Sequence, residues 1–170
     1  MDTSKSVLIA YYSLTGNTAR VATDLAARLG ADLESIQDKG HGAGALGQLA
    51  AAFDAWRKAP AHIGELQRNP TQYAITVIGT PVWTWQMTPA VRAYLKEARG
   101  RIHNVAFFVT SGDTDVRKIL PSLEAQAGIK SIASAGFNAR ELSETATYEA
   151  KLAAFAEEIT SAVRAARRVA

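Results

Sequence analysis

The chain has 170 residues, of which 48% are hydrophobic and 21% are charged, and this is enough for one domain with a buried core. It contains no cysteine, which excludes disulfides, thiolate nucleophiles and cysteine-based metal sites. The formal net charge is +3, but no basic stripe is interleaved with aromatic residues, so we expect no nucleic-acid interface.

Apolar runs of strand length alternate along the chain with helical spacings. The predicted strands cover residues 7–12, 31–36, 73–78, 105–109 and 131–137. The predicted helices carry apolar residues at Val21–Leu29, Leu46–Trp56, Val91–Leu95, Val116–Leu123 and Tyr148–Val163. Five strands that alternate with helices predict a single α/β domain over residues 1–170, with a parallel sheet covered on both faces as a three-layer sandwich.

Several segments carry no such signal. The stretches Gln37–Gly47 and Pro60–Gln72 are irregular and flank a predicted helix, and residues 37–72 have no assigned function. No apolar run approaches the roughly 20 residues of a membrane helix, and the first residues lack the features of a secretory signal. We therefore expect a soluble, cytoplasmic protein with no membrane partner.

The first predicted strand leads into a turn dense in hydroxyl groups, and ligands of parallel sheets bind beyond the carboxyl ends of strands. The turn reads Ser13-Leu14-Thr15-Gly16-Asn17-Thr18 and opens a helix. One hydroxyl could simply cap that helix, but the full set favours an anion at the helix N-terminus. The turn lacks the lysine of a triphosphate loop and the repeated glycines of a dinucleotide loop, so a phosphate monoester fits best.

The second candidate loop, "IGTPVWTWQMTPAV" (Ile78 to Val91), follows the third predicted strand. Gly79, Thr80 and Pro81 predict a tight polar exit, and Trp83 and Trp85 are expected in the loop. Tryptophans commonly pack in a core, so we expect one of the two to do so and the other to contact a flat ring system.

A third loop follows the fourth strand and contains Thr110, Ser111, Gly112 and Asp113. These residues suit the polar edge of a heterocycle. They are also compatible with an ordinary helix start, in which Asp113, Thr114 or Asp115 is the cap.

These three loops, in this order and spacing, resemble the flavin-binding loops of flavodoxins over nearly the whole chain. The resemblance implies a five-stranded parallel sheet in the order 2-1-3-4-5 and bound flavin mononucleotide (FMN). It implies that Ser13–Thr18 hold the phosphate, that Trp83 stacks on the isoalloxazine, and that Ser111–Asp113 meet its pyrimidine edge. The full set of candidate cofactor-binding residues is Ser13, Leu14, Thr15, Gly16, Asn17, Thr18, Thr80, Pro81, Val82, Trp83, Thr84, Trp85, Thr110, Ser111, Gly112 and Asp113.

The sequence departs from the family pattern in two respects. No aromatic residue follows the third loop, so one flavin face is open or is covered by Trp85 or by a partner chain, as in a possible homodimer. The net charge is positive, whereas electron-carrying flavodoxins are usually strongly acidic.

Three functions remain open at this point. The first is an FMN redox protein that transfers electrons to a partner protein. The second is an NAD(P)H-dependent FMN oxidoreductase, similar to quinone reductases, with a small acceptor. The third is a non-redox binding module that has lost the flavin. We predict no catalytic side chain and no metal site, and we interpret His41, His62 and His103 as surface or packing residues.

Overall fold

The computed structural model describes residues 6–39, 61–83, 85–112 and 115–169. The helix predicted around Leu46–Trp56 lies outside these ranges, as do His41, Thr84 and Asp113. The strands of the described part are β1 (Val7–Tyr11), β2 (Asp32–Ser35), β3 (Ile75–Trp83), β4 (Gln86–Met87), β5 (Val105–Ser111) and β6 (Ser131–Asn138). The helices are α1 (Asn17–Leu29), α2 (Pro89–Glu97), α3 (Val116–Ala127), α4 (Ala139–Ser143) and α5 (Thr145–Val169), and a 3-10 turn covers Pro70–Gln72.

The sheet has the spatial order β2-β1-β3-β5-β6, and all neighbours in this row are parallel. These parallel strands follow the order that the family resemblance implied. The prediction of five strands was wrong by one, because β4 adds a short antiparallel strand beside β3. With two residues, β4 is too short to show a hydrophobic period in the sequence.

Helices cover both faces of the sheet, as predicted, and they bury one apolar cluster on each face. Val21 and Leu25 of α1 pack with Phe155 of α5 on one face. On the other face, residues of α2 and α3 form the second cluster. Neighbouring residues of β5 point to opposite faces, so Phe107 belongs to the second cluster and Phe108 to the first, and both are fully buried.

Local signals set several helix ends. Gly30 and Gly128 end α1 and α3 in the left-handed conformation that glycine adopts without strain. Thr88 caps α2 directly before Pro89. Helix α4 was not predicted, although Asn138 and Glu141 form a capping box at its start. None of the helices in the described ranges is both long enough and apolar enough to cross a membrane.

Candidate functional site

The carboxyl ends of β1, β3 and β5 meet at one edge of the sheet, and three contacts join the loops that follow them. The N–H of Tyr12 donates to the carbonyl of Gly79 at 3.1 Å. Pro81 pairs with Thr110 in the register of β3 and β5. The hydroxyls of Thr18 and Thr110 are 2.7 Å apart. The structure therefore brings the three predicted loops together at one edge of the sheet.

The first loop is shaped by hydrogen bonds within its own sequence. The Ser13 hydroxyl oxygen accepts from the N–H groups of Gly16 at 3.2 Å and Ala19 at 3.1 Å. Gly16 precedes the first helical residue with a φ of 95°, a conformation that a side chain would strain. Ser13 therefore has the capping function that we considered for one hydroxyl of this turn, and Gly16 is required by the backbone.

Several other polar groups of this loop are exposed. Thr15 and Asn17 are exposed, and so is Leu14. The N–H groups of Asn17 and Thr18 have no hydrogen-bond acceptor among the described residues, as expected for the first turn of a helix. Arg20 points elsewhere, since its guanidinium donates to the carbonyl of Leu142 at 2.9 Å. The donors at this helix start are neutral, and they suit an anion.

Thr18 differs from its neighbours in the same loop because its side chain is only 1% exposed. Its hydroxyl bonds to that of Thr110, which is also buried. The sequence predicted both residues as ligand contacts and did not predict this bond. The bond connects the start of α1 to the end of β5, so the two threonines fix the first loop against the third.

In the second loop, the predicted polar exit is wrong, because the residues up to Trp83 continue β3. Pairing with β5 carries the strand through residues 79–81, and pairing with β4, with Val82 opposite Met87, extends it to Trp83. Thr80, Pro81 and Val82 are buried, and the Thr80 hydroxyl donates to the carbonyl of Pro81 at 2.9 Å. Trp85, directly before β4, lies in the turn of this hairpin.

Gly79 serves the core of the protein. A Cβ atom placed on Gly79 would lie 2.2 Å from the Cζ atom of Phe108, closer than any real carbon contact. Since Phe108 is fully buried on the neighbouring strand, the missing side chain at Gly79 makes room for its ring. The glycine of this motif is therefore explained by packing alone.

Trp85 is the exposed aromatic residue of the hairpin. Its side chain is 49% exposed, and its φ of 64° is in the left-handed region that is uncommon for a bulky residue. The ammonium of Lys118, in the first turn of α3, lies 4.1 Å from the centre of the ring. The stacking predicted for Trp83 stays a prediction, because its side chain and all of Thr84 lie outside the described residues.

In the third loop, Thr110 and Ser111 are the last residues of β5, and Gly112 has open space around its Cα. Asp113 lies outside the described residues. The cap of α3 is Asp115, one of the three expected candidates, and its carboxylate accepts from the N–H of Arg117 at 2.9 Å. The guanidinium of Arg117 lowers the pKa of Asp115 to about 2.

Other parts of the described chain offer few alternatives. No three His, Asp or Glu side chains of these residues are placed to share a metal ion. The exposed His62 and His103 lie in separate segments. A groove of about 480 Å³ follows the outer edge of β6, and its lining includes Arg117 and Lys151 but none of the predicted cofactor-binding residues.

Comparison with known proteins gives similarity at the level of structure. No protein-family model matches the chain, and no curated protein matches it. A flavoprotein in complex with FMN from Lactobacillus acidophilus is 22% identical with a TM-score of 0.64, over 82% of this chain and 97% of that one. A flavodoxin from the domain Archaea is 13% identical with a TM-score of 0.50, over 93% and 98% of the two chains. An apo NADH:FMN oxidoreductase is 14% identical with a TM-score of 0.52, over 94% and 89%.

These similarities and the sheet order define an α/β protein with the flavodoxin-like fold. At such low identity they show the fold alone, and fold does not determine function. The function of this chain must therefore be inferred from its own residues at the carboxyl edge of the sheet, where the three loops meet.

Proposed function

We propose that this protein binds FMN non-covalently and uses it for electron transfer. The observation that carries the proposal is the convergence of three loops on a helix start whose first two N–H groups, of Asn17 and Thr18, have no acceptor among the described residues. The similar flavoprotein from Lactobacillus acidophilus was obtained in complex with FMN, which supports this choice of ligand.

The residues of the first loop would hold the phosphate. The N–H groups of Asn17 and Thr18 and the exposed hydroxyl of Thr15 supply neutral donors, and the helix dipole adds a favourable field. Ser13 supports the site indirectly, because its hydroxyl shapes the turn. No basic side chain is required for this contact, which agrees with the orientation of Arg20 away from the loop.

The second and third loops would hold the ring system. Trp83 or Trp85 would cover one face, and Ser111 to Asp113 would supply polar groups for the pyrimidine edge. When bound, the flavin supplies the redox chemistry, and the protein supplies binding, orientation and charge. The buried Thr18–Thr110 pair would keep the phosphate loop and the ring loop at a fixed separation.

An NAD(P)H-dependent FMN oxidoreductase is the second candidate. The ammonium of Lys118, beside the exposed Trp85, favours this candidate because it would attract an anionic nucleotide or acceptor. One of the proteins of similar structure is an NADH:FMN oxidoreductase. In the first candidate, the electrons come from a partner protein instead.

Titration with FMN tests the proposal. We expect saturable binding, followed by quenching of flavin fluorescence, and reduction of the bound flavin by dithionite. A preparation that does not bind FMN would reject both redox functions and favour a binding module without flavin. Addition of NADH or NADPH with a quinone to the loaded protein then separates the two candidates. Steady turnover indicates the oxidoreductase, and its absence indicates a carrier served by a protein partner.

A further inference from the structure

Trp85 pairs with Lys118, a residue that is not among the predicted cofactor contacts. Trp85 lies in the turn between β3 and β4, and Lys118 lies in the first turn of α3, so the pair bridges the second and third loops. Both side chains are exposed, with the ammonium 4.1 Å from the ring centre. The pair therefore presents an aromatic plane and a positive charge together at the edge of the candidate flavin site.

The charge on Lys118 remains available, in contrast to that of its neighbour. The guanidinium of Arg117 donates to Oδ2 of Asp115 at 2.6 Å and 2.9 Å and to Oδ1 at 3.1 Å. Among the described residues, no carboxylate lies within ion-pair distance of Lys118. The contact with the ring holds the ammonium in place but does not neutralise it, because an aromatic ring has no net charge.

The chemistry of the pair selects its ligand. A flat ring gains by stacking on an exposed indole, and an anionic group gains from the ammonium beside it. A neutral ring would use only the first contact, and a small inorganic anion would use only the second. A small aromatic molecule with a negatively charged substituent uses both.

We propose that Trp85 and Lys118 are the recognition site for an aromatic anion that exchanges electrons with the flavin, an anionic quinone being the simplest acceptor of this class. This inference rests on the proposed function for the exchange itself. Reduced flavin and quinone would give oxidised flavin and hydroquinone, with two electrons and two protons transferred and no further reactant. Recognition by the pair can be measured separately from that reaction.

Calorimetric titration with two redox-inactive probes, naphthalene-2-sulfonate and 2-naphthalenemethanol, tests the recognition. The probes share the ring, and only the first is charged. We expect the FMN-loaded protein to bind the sulfonate about threefold to fivefold more tightly, the upper part of the range expected of one exposed ion pair. Lys118→Met keeps the length of the side chain and should abolish this preference. Trp85→Leu should weaken the binding of both probes.

Lys96→Met is the matched control. Lys96 is also exposed, but it lies in the last turn of α2. That helix begins near the three loops and runs away from the carboxyl edge of the sheet. This variant should bind both probes as the unaltered protein does. An equal loss of sulfonate binding in both lysine variants would show a general effect of net charge and overturn the proposal.

The remaining outcomes are also decisive. Equal affinity for the two probes, no binding of either probe, or an unchanged preference in Lys118→Met would each overturn the inference. If the protein does not take up FMN, the proposed function fails, and the same titration is done on the flavin-free protein. A preference for the sulfonate that depends on Lys118 would then support recognition of aromatic anions without a redox role.

Discussion

The first loop and the tryptophan hairpin lie at the same edge of the sheet, but they use their polar groups in opposite ways. In the first loop, the Ser13 hydroxyl oxygen accepts from two backbone N–H groups, and other donors stay exposed. In the hairpin, the Thr80 hydroxyl is buried and bonded to the backbone, and the surface is aromatic. The difference agrees with the proposed division of roles, in which the first region would bind an anion and the second would contact rings.

The largest effect is expected at Gly79, where the hairpin strand meets the core. Gly79→Ala should destabilise the protein by about 2 to 3 kcal/mol, because the new Cβ would overlap the ring of Phe108. The matched control is Gly112→Ala, where the added carbon meets nothing within 4 Å, and we expect a change within about 0.5 kcal/mol. Denaturant unfolding measures both, and equal stability of the two variants would contradict the role of Gly79 in packing.

The next effect concerns the contact between the first and third loops. Thr18→Val and Thr110→Val should each cost about 1 to 3 kcal/mol, since each leaves a buried hydroxyl without its partner. The double variant should cost less than the sum of the two, and a double-mutant cycle from unfolding curves measures this coupling. Strict additivity would show that the two hydroxyls do not depend on each other.

A smaller effect separates capping from ligand binding within the first loop. Ser13→Ala should lower the stability of the flavin-free protein by about 1 kcal/mol through loss of the cap. Thr15→Ala should leave that stability unchanged but weaken FMN binding by about 0.5 to 1.5 kcal/mol through loss of one donor. If Thr15→Ala lowered stability and left the FMN dissociation constant unchanged, Thr15 would be a structural residue.

The smallest effect is a pH dependence at the cap of α3, beneath the third loop. Arg117 lowers the pKa of Asp115 from the ordinary 3.8 to about 2, so the capping interaction is complete above pH 3.8 and is lost as the pH falls towards 2. In Arg117→Met, the pKa of Asp115 measured by NMR titration should rise towards 3.8. A pKa that stayed near 2 would assign the shift to another group.

Sequence reasoning succeeded where contacts are local and was incomplete where they are not. The helix start after Ser13 could be predicted because its determinants lie within a few residues. The extension of β3 past its predicted end depends on pairing with β5 over residues 79–81 and with the two-residue β4 at Val82 and Trp83, and neither contact is local in the sequence. The contact of Lys118 with Trp85 joins elements that the sequence places far apart, and no local motif marks it.

The parallel sheet itself was predictable, because its buried strands are continuous apolar runs. The structural roles of single glycines were harder to predict from the sequence. Gly16 and Gly79 both look like loop glycines in the sequence, but one permits a left-handed backbone and the other makes room for a ring. Only the positions of their neighbours distinguish the two cases.

Comparison of FMN with riboflavin tests the central claim most directly, since the two ligands share the ring and differ in the phosphate. The protein is titrated with each, and binding is followed by flavin fluorescence. We expect FMN to bind more tightly than riboflavin, and Thr15→Ala to reduce the advantage of FMN without changing riboflavin binding. Equal affinity for the two ligands, or no binding of FMN, would contradict a phosphate site at the start of α1.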